Sequence, residues 1–142
     1  MTGADQAILA SADAMIGKAR EAMKVQALHQ VLNAVWAVVA EANRYFAGEA
    51  PWALAKTDPV RQRTVLFVTA EVIRQIAILA QPFMPAAAAK LLDLLAVPAG
   101  QRSFLALGGG QRIAAGSKLP APAAVFPRYV EKADGQTTDD RG

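Results

Sequence analysis

Apolar residues recur every three or four positions over most of the first two-thirds of the chain, which is the signature of helices packed on one face. Ile8, Leu9, Ala12, Met15, Ile16, Ala19 and Met23 predict a first helix over about Asp5 to Ala22, with Asp13, Lys18 and Glu21 between them. Leu28, Val31, Leu32, Val35, Trp36, Val38 and Val39 keep the period to about Phe46, so this second run is predicted to be the central helix, with Gly48 as its stop. Pro51 disfavours helical geometry at Ala50 and forces a corner between Phe46 and Trp52. Thr57-Asp58-Pro59 then supplies a cap and a first-turn proline. The third helix starts there. Its Val65, Leu66, Val68, Val72, Ile73, Ile76 and Leu79 alternate with Arg61, Arg63, Glu71, Arg74 and Gln75, as in an amphipathic helix packed on one side. Pro82 and Pro85 redirect the chain into a fourth helix, Ala86 to about Leu95, which stops before Pro98.

Beyond Val97 the periodicity is lost, and Gly100, Gly108 to Gly110, Gly116, Pro120, Pro122 and Pro127 punctuate short apolar pieces. The expectation is an all-α fold, an antiparallel bundle of about four helices spanning residues 1–130. Residues 98–130 form an extended strap on the bundle, and residues 131–142 form a flexible polar tail.

Composition narrows the chemistry. The 142 residues are 54% hydrophobic and 19% charged, far from the signature of disorder. The absence of cysteine removes disulfides and thiolate metal sites, and the one histidine, His29, falls in a predicted helix where it reads as a structural residue. No metal site is expected. No apolar run is long enough to span a membrane, and the N-terminus lacks a secretory pattern, so no membrane partner and a cytoplasmic location are expected. A net charge of +3 tolerates a polyanion without demonstrating one.

Gly116-Ser117-Lys118 has the wrong order for a phosphate loop, Gly108-Gly109-Gly110 lacks a strand-turn-helix setting, and the carboxylates are scattered singly. No catalytic residue is assigned. Asn43-Arg44-Tyr45-Phe46-Ala47-Gly48-Glu49-Ala50-Pro51-Trp52 is different. A tryptophan on a proline-fixed corner, with Arg44, Lys56, Arg61 and Arg63 nearby in sequence, has the composition of a base-stacking platform beside phosphate contacts. The alternative, which physics alone favours slightly, is that Trp52 plugs the gap between the second and third helices. Trp36, on an apolar helical face, is expected to pack in the core.

The segment Ala42-Asn43-Arg44-Tyr45 through Ala50-Pro51-Trp52-Ala53-Leu54-Ala55-Lys56 closely resembles the anticodon-binding domain of methionyl-tRNA synthetase. Gln81-Pro82-Phe83-Met84-Pro85, Leu91-Leu92-Asp93-Leu94-Leu95, and Leu119-Pro120 with Val125-Phe126-Pro127-Arg128 resemble that family's proline break, following helix and closing strap. The resemblance runs from about Asp5 to Lys132. It implies recognition of the CAU anticodon of methionine and initiator tRNA. Trp52 would stack on an anticodon base, Pro51 would set the corner, and Arg44, Lys56, Arg61 and Arg63 are the candidates for phosphate contacts. It further implies that ATP and methionine, the ligands of the family's catalytic domain, bind outside this chain, which is non-catalytic by itself and has that catalytic domain as a partner. The family's upstream helix, which carries base-reading residues, has no counterpart before Asp5, so weaker and less specific binding is expected from this chain alone, and no base-reading role passes to Asn43 or Arg44. The rival expectation is a helical protein–protein interaction module derived from such a domain.

Overall fold

The computed structural model describes residues 1–128, so the expected tail, residues 131–142, lies outside the described residues. Among the described residues five helices form: α1 (Gly3–Lys24), α2 (Leu28–Glu49), α3 (Pro51–Thr57), α4 (Pro59–Ala80) and α5 (Pro85–Leu94). Four are the expected bundle helices, and α3 is a short helix built into the corner. Three 3-10 turns, Ala99–Gln101, Phe104–Ala106 and Gly109–Gln111, shape the segment that follows. Among the described residues no helix is long and apolar enough to cross a membrane.

Local chemistry accounts for the boundaries. Thr2 and Asp5 form a reciprocal capping box at the start of α1. Asp58 caps α4 by accepting from the Arg61 backbone N–H, and Pro59 occupies the first turn, where its missing N–H costs no hydrogen bond. Gly48 does not stop α2, which continues to Glu49 and is capped by Ala50 in the left-handed region at φ 43°. The Ala50 N–H donates to the Phe46 carbonyl and closes the helix, and Pro51 prevents its continuation.

The central helix is α4, not α2. α1, α2 and α4 pack on one another, and α3 and α5 both pack on α4. Val65, Val68, Val72, Ala77 and Ile78 are fully buried, and the main core joins Val68 and Val72 to Ile8, Ala12 and Met15 of α1 and Val31, Val35 and Val38 of α2. A second, smaller cluster of Ala77, Ile78, Leu92, Val97 and Ala106 lies under the strap.

The one-sided reading of α4 also needs correction, because Glu71, Arg74 and Gln75 are buried. The Arg74 guanidinium donates to both Glu71 carboxylate oxygens at 2.9 and 2.7 Å, and to the Ala106 carbonyl at 2.8 Å. Glu71 also accepts from the Ile113 N–H, and the Gln75 side-chain Oε1 accepts from the Gly108 N–H. From α1, Asp13 accepts from Gln75 and from Arg112 of the strap. These groups are polar because a non-repetitive strap brings unpaired backbone N–H and C=O groups against the helix, where each needs a partner. Residues 106–113 are thereby clipped to α1 and α4, whereas residues 114–124 lie exposed.

Without Arg74, the buried Glu71 carboxylate keeps only the longer ion pair to Arg112 at 3.5 Å and loses both of its guanidinium hydrogen bonds. Arg74→Met is expected to cost about 3–5 kcal/mol of stability. The double variant Glu71→Gln/Arg74→Met should cost less than the single one, measured as urea midpoints. A single variant as stable as the parent would show that the strap clip does not hold the fold.

Candidate nucleic-acid interface

The corner is assembled around one carboxylate. Asp5, on the first turn of α1, is fully buried, and its two oxygens accept from the Arg61 guanidinium at 2.6 and 2.8 Å, from the Tyr45 hydroxyl at 2.6 Å and from the Thr2 N–H at 2.7 Å. Arg61 also pairs with Glu49 at 2.7 Å. This cluster joins the start of α1, the end of α2 and the start of α4, and the helix α3 bridges the last two.

The charges perturb one another in consistent directions. Hydrogen bonds from Arg61 hold the Asp5 carboxyl far below the usual carboxylate range, against the opposing effect of burial. Burial, then the hydrogen bond to Asp5, pushes the Tyr45 hydroxyl well above its ordinary value. The two carboxylates lock Arg61 in its charged form. Arg61 is therefore committed to the fold, with its guanidinium on Asp5 and Glu49, and is not presented for phosphate.

α3 leaves Ala50 with Pro51 in its first turn, and the buried Pro51 directs the next side chain outward. The Gln62 amide Nε2 donates to the Pro51 carbonyl at 3.0 Å and fixes the corner to α4. Trp52 stands 64% exposed on this support. Its ring meets Phe46 edge-on, with centroids 5.9 Å apart and planes at 63°, so it does not plug the gap between helices.

Of the remaining candidates, Lys56 and Arg63 are exposed on α3 and α4. Arg44 is exposed too, but it lines a depression between α1 and α2 with Ala4, Ser11, Glu41 and Tyr45. Phe46, the neighbour of Trp52, lines a different groove with Trp36, Val39 and Asn43 of α2 and Thr69, Ile73 and Ile76 of α4. Trp36 is 51% exposed there, contrary to the expected core position. The buried stripe of α2 is Val31, Val35 and Val38, and a residue one step past Val35 is turned about 100° away from it. Asn43 and Trp36 thus share a face that the apolar period alone did not separate. His29 is exposed on α2.

A family model described as the anticodon binding domain of methionyl tRNA ligase matches residues 1–139. The chain is similar to the methionine–tRNA ligase of Rhizobium meliloti, with 59% identity over 130 residues, covering 92% of this chain and 25% of that protein. Its similarity to the Mycobacterium tuberculosis methionine–tRNA ligase is 46% over 130 residues, covering 89% of this chain and 25% of that protein. The crystal structure of the apo form of Mycobacterium tuberculosis methionyl-tRNA synthetase superposes with a TM-score of 0.87 at 43% identity, over 93% of this chain and 27% of that one. The chain spans about a quarter of the length of the relatives it matches.

Two outcomes are expected from the corner's energetics. Asp5→Asn should cost about 3 kcal/mol at neutral pH, because Arg61 loses its most buried partner. Since folding lowers the Asp5 pKa, its contribution is complete above the unfolded value of about 4 and declines as pH falls toward the folded one. The gap between parent and variant should therefore narrow in urea titrations below about pH 4; a constant gap would exclude the ionised Asp5 as its source. Ala50→Gly should stabilise the chain by about 1 kcal/mol, because glycine takes the left-handed conformation without a Cβ penalty. A lower melting temperature for this variant would contradict strain at the corner.

Proposed function

Because the chain belongs to the family of anticodon-binding domains of methionyl-tRNA ligase, we propose that it binds the anticodon loop of methionine and initiator tRNA, stacking a base of CAU on Trp52. The observation that carries this reading is a tryptophan left 64% exposed yet anchored on a braced corner. A flat, ordered, apolar face in water suits an unpaired base, which brings its own π-face and loses little by leaving the loop stack. Lys56 and Arg63, exposed on the two helices that flank the corner, supply charge for backbone phosphate, and Arg44 adds to it from the α1 side of α2.

In this reading the domain recognises tRNA and leaves chemistry to the remaining three-quarters of a ligase of the kind its relatives represent. ATP and methionine bind there, in the cytoplasm, and the residues of this chain perform no catalytic step. The apolar groove of Trp36, Val39 and Phe46 supports a second reading, a helical module that docks protein. Salt separates the two. Contacts to three phosphates of a single-stranded loop give a slope of about −2 in log K against log salt, whereas apolar docking is nearly indifferent to salt.

The test is titration of the chain with a CAU anticodon stem-loop and with the same stem-loop carrying another anticodon. Trp52→Ala should remove about 1–3 kcal/mol, a loss of roughly five- to 150-fold in affinity for the CAU loop. Equal binding of both stem-loops by the unchanged chain, or undiminished CAU binding by Trp52→Ala, would refute the stacking role.

A further inference from the structure

Among the described residues, the one aromatic ring paired with Trp52 is Phe46, met edge-on, and the backbone of α3 sets where the indole starts from. That helix has only seven residues, too few to hold their shape unaided in water, and it leaves from a left-handed residue. α4 grips the chain on both sides of that residue. Arg61 takes Glu49 by an ion pair, and Gln62 takes the Pro51 carbonyl by a neutral hydrogen bond. The first contact is shared with Asp5 and holds three helices together. The second serves the corner alone.

An apolar side chain at position 62 would satisfy packing between α3 and α4. An amide adds direction, because its N–H must point at one carbonyl oxygen. We propose that Gln62 is a positioning residue for RNA recognition: by fixing the Pro51 carbonyl it sets the plane of the Trp52 ring before RNA arrives. The stack then forms without ordering the corner at the moment of binding, and pre-organisation of this kind raises affinity without adding a contact. This inference rests on Trp52 being the stacking residue. Gln62 acts through Trp52 and needs no contact with RNA.

The experiment uses the 142-residue chain, isotope-labelled, in which the indole signals of Trp52 and Trp36 report separately. Gln62→Met keeps the length of the side chain and removes its donor. In the free chain, this variant should shift or broaden the Trp52 indole signal and leave that of Trp36 in place. With the CAU stem-loop, its dissociation constant should rise about two- to tenfold, the range expected for one lost hydrogen bond. On a Trp52→Ala background the same change should have no further effect, because the group being positioned is gone.

Gln62→Asn, which retains the amide but falls one methylene short of the carbonyl, should reproduce the pattern and covers the case in which Gln62→Met unfolds the chain. A Trp52 signal that does not move in either folded variant overturns the proposal. So does an equal loss of affinity with and without Trp52, which would mean that Gln62 touches RNA or supports the fold in general. If Trp52→Ala itself leaves binding intact while the free-chain indole shift occurs, the stacking reading is what fails, and Gln62 then positions a ring that RNA does not use.

Discussion

Asp5 is the group on which the corner end of the molecule depends. A carboxylate without access to water is tolerated only when its lone pairs are occupied and its charge is met. Here Arg61, Tyr45 and Thr2 meet both demands from three different parts of the chain. Because those donors are directional, the start of α1, the end of α2 and the start of α4 have one relative arrangement in which all are satisfied. Alternatives that slide one helix by a turn would leave a buried charge unmatched. The apolar interface alone would not discriminate so well, since much of it is valine and alanine, whose surfaces are nearly interchangeable along a helix.

The same device recurs further along α4. Glu71, Arg74 and Gln75 meet the backbone of residues 106–113, and Asp13 closes the set from α1. An apolar replacement for such a pair can be as stable as the pair itself, so net stability does not explain why the charges are there. Position does. A strap with little regular structure has no register of its own, and fixed hydrogen bonds to a rigid helix supply one. α4 thus carries a polar anchor near its start for the corner and another near its middle for the strap, and the apolar core lies between and beside them.

Much of the architecture was legible because helices report themselves locally. The apolar period, the proline breaks and the Asp58-Pro59 start require only residues a few positions apart, and all correspond to observed boundaries. What was not legible depended on distant partners. Nothing near Arg61 in sequence distinguishes it from Arg63, yet its neighbours in space are Asp5 and Glu49, and the two side chains end in opposite environments. Glu71, Arg74 and Gln75 looked like a solvated face because the strap that covers them has no period from which its path could be read. Trp36 was misplaced for a geometric reason, as the buried stripe of α2 is narrow and its hydrophobicity extends past the stripe. The corner itself was visible through Pro51, but its cap was not, since an alanine in the left-handed region leaves no sign in the sequence.

The exposure of Trp52 takes its meaning from these ties. A tryptophan on an unsupported loop loses backbone as well as side-chain freedom on binding, whereas one on a braced corner has given up the backbone share during folding. Leaving so large an apolar ring in water costs hydrophobic free energy that a fold under no other demand would recover by burying it. The surrounding structure instead meets the cost of holding it out. Ala50 takes a strained conformation, Pro51 is buried to aim the next residue, and α4 contributes two consecutive side chains to the two ends of the turn. The left-handed turn recurs at Gln26 and Ala96, at the ends of α1 and α5, so what sets this corner apart is that two side chains of α4 brace it beneath an exposed ring, the arrangement that the proposed stacking on Trp52 requires.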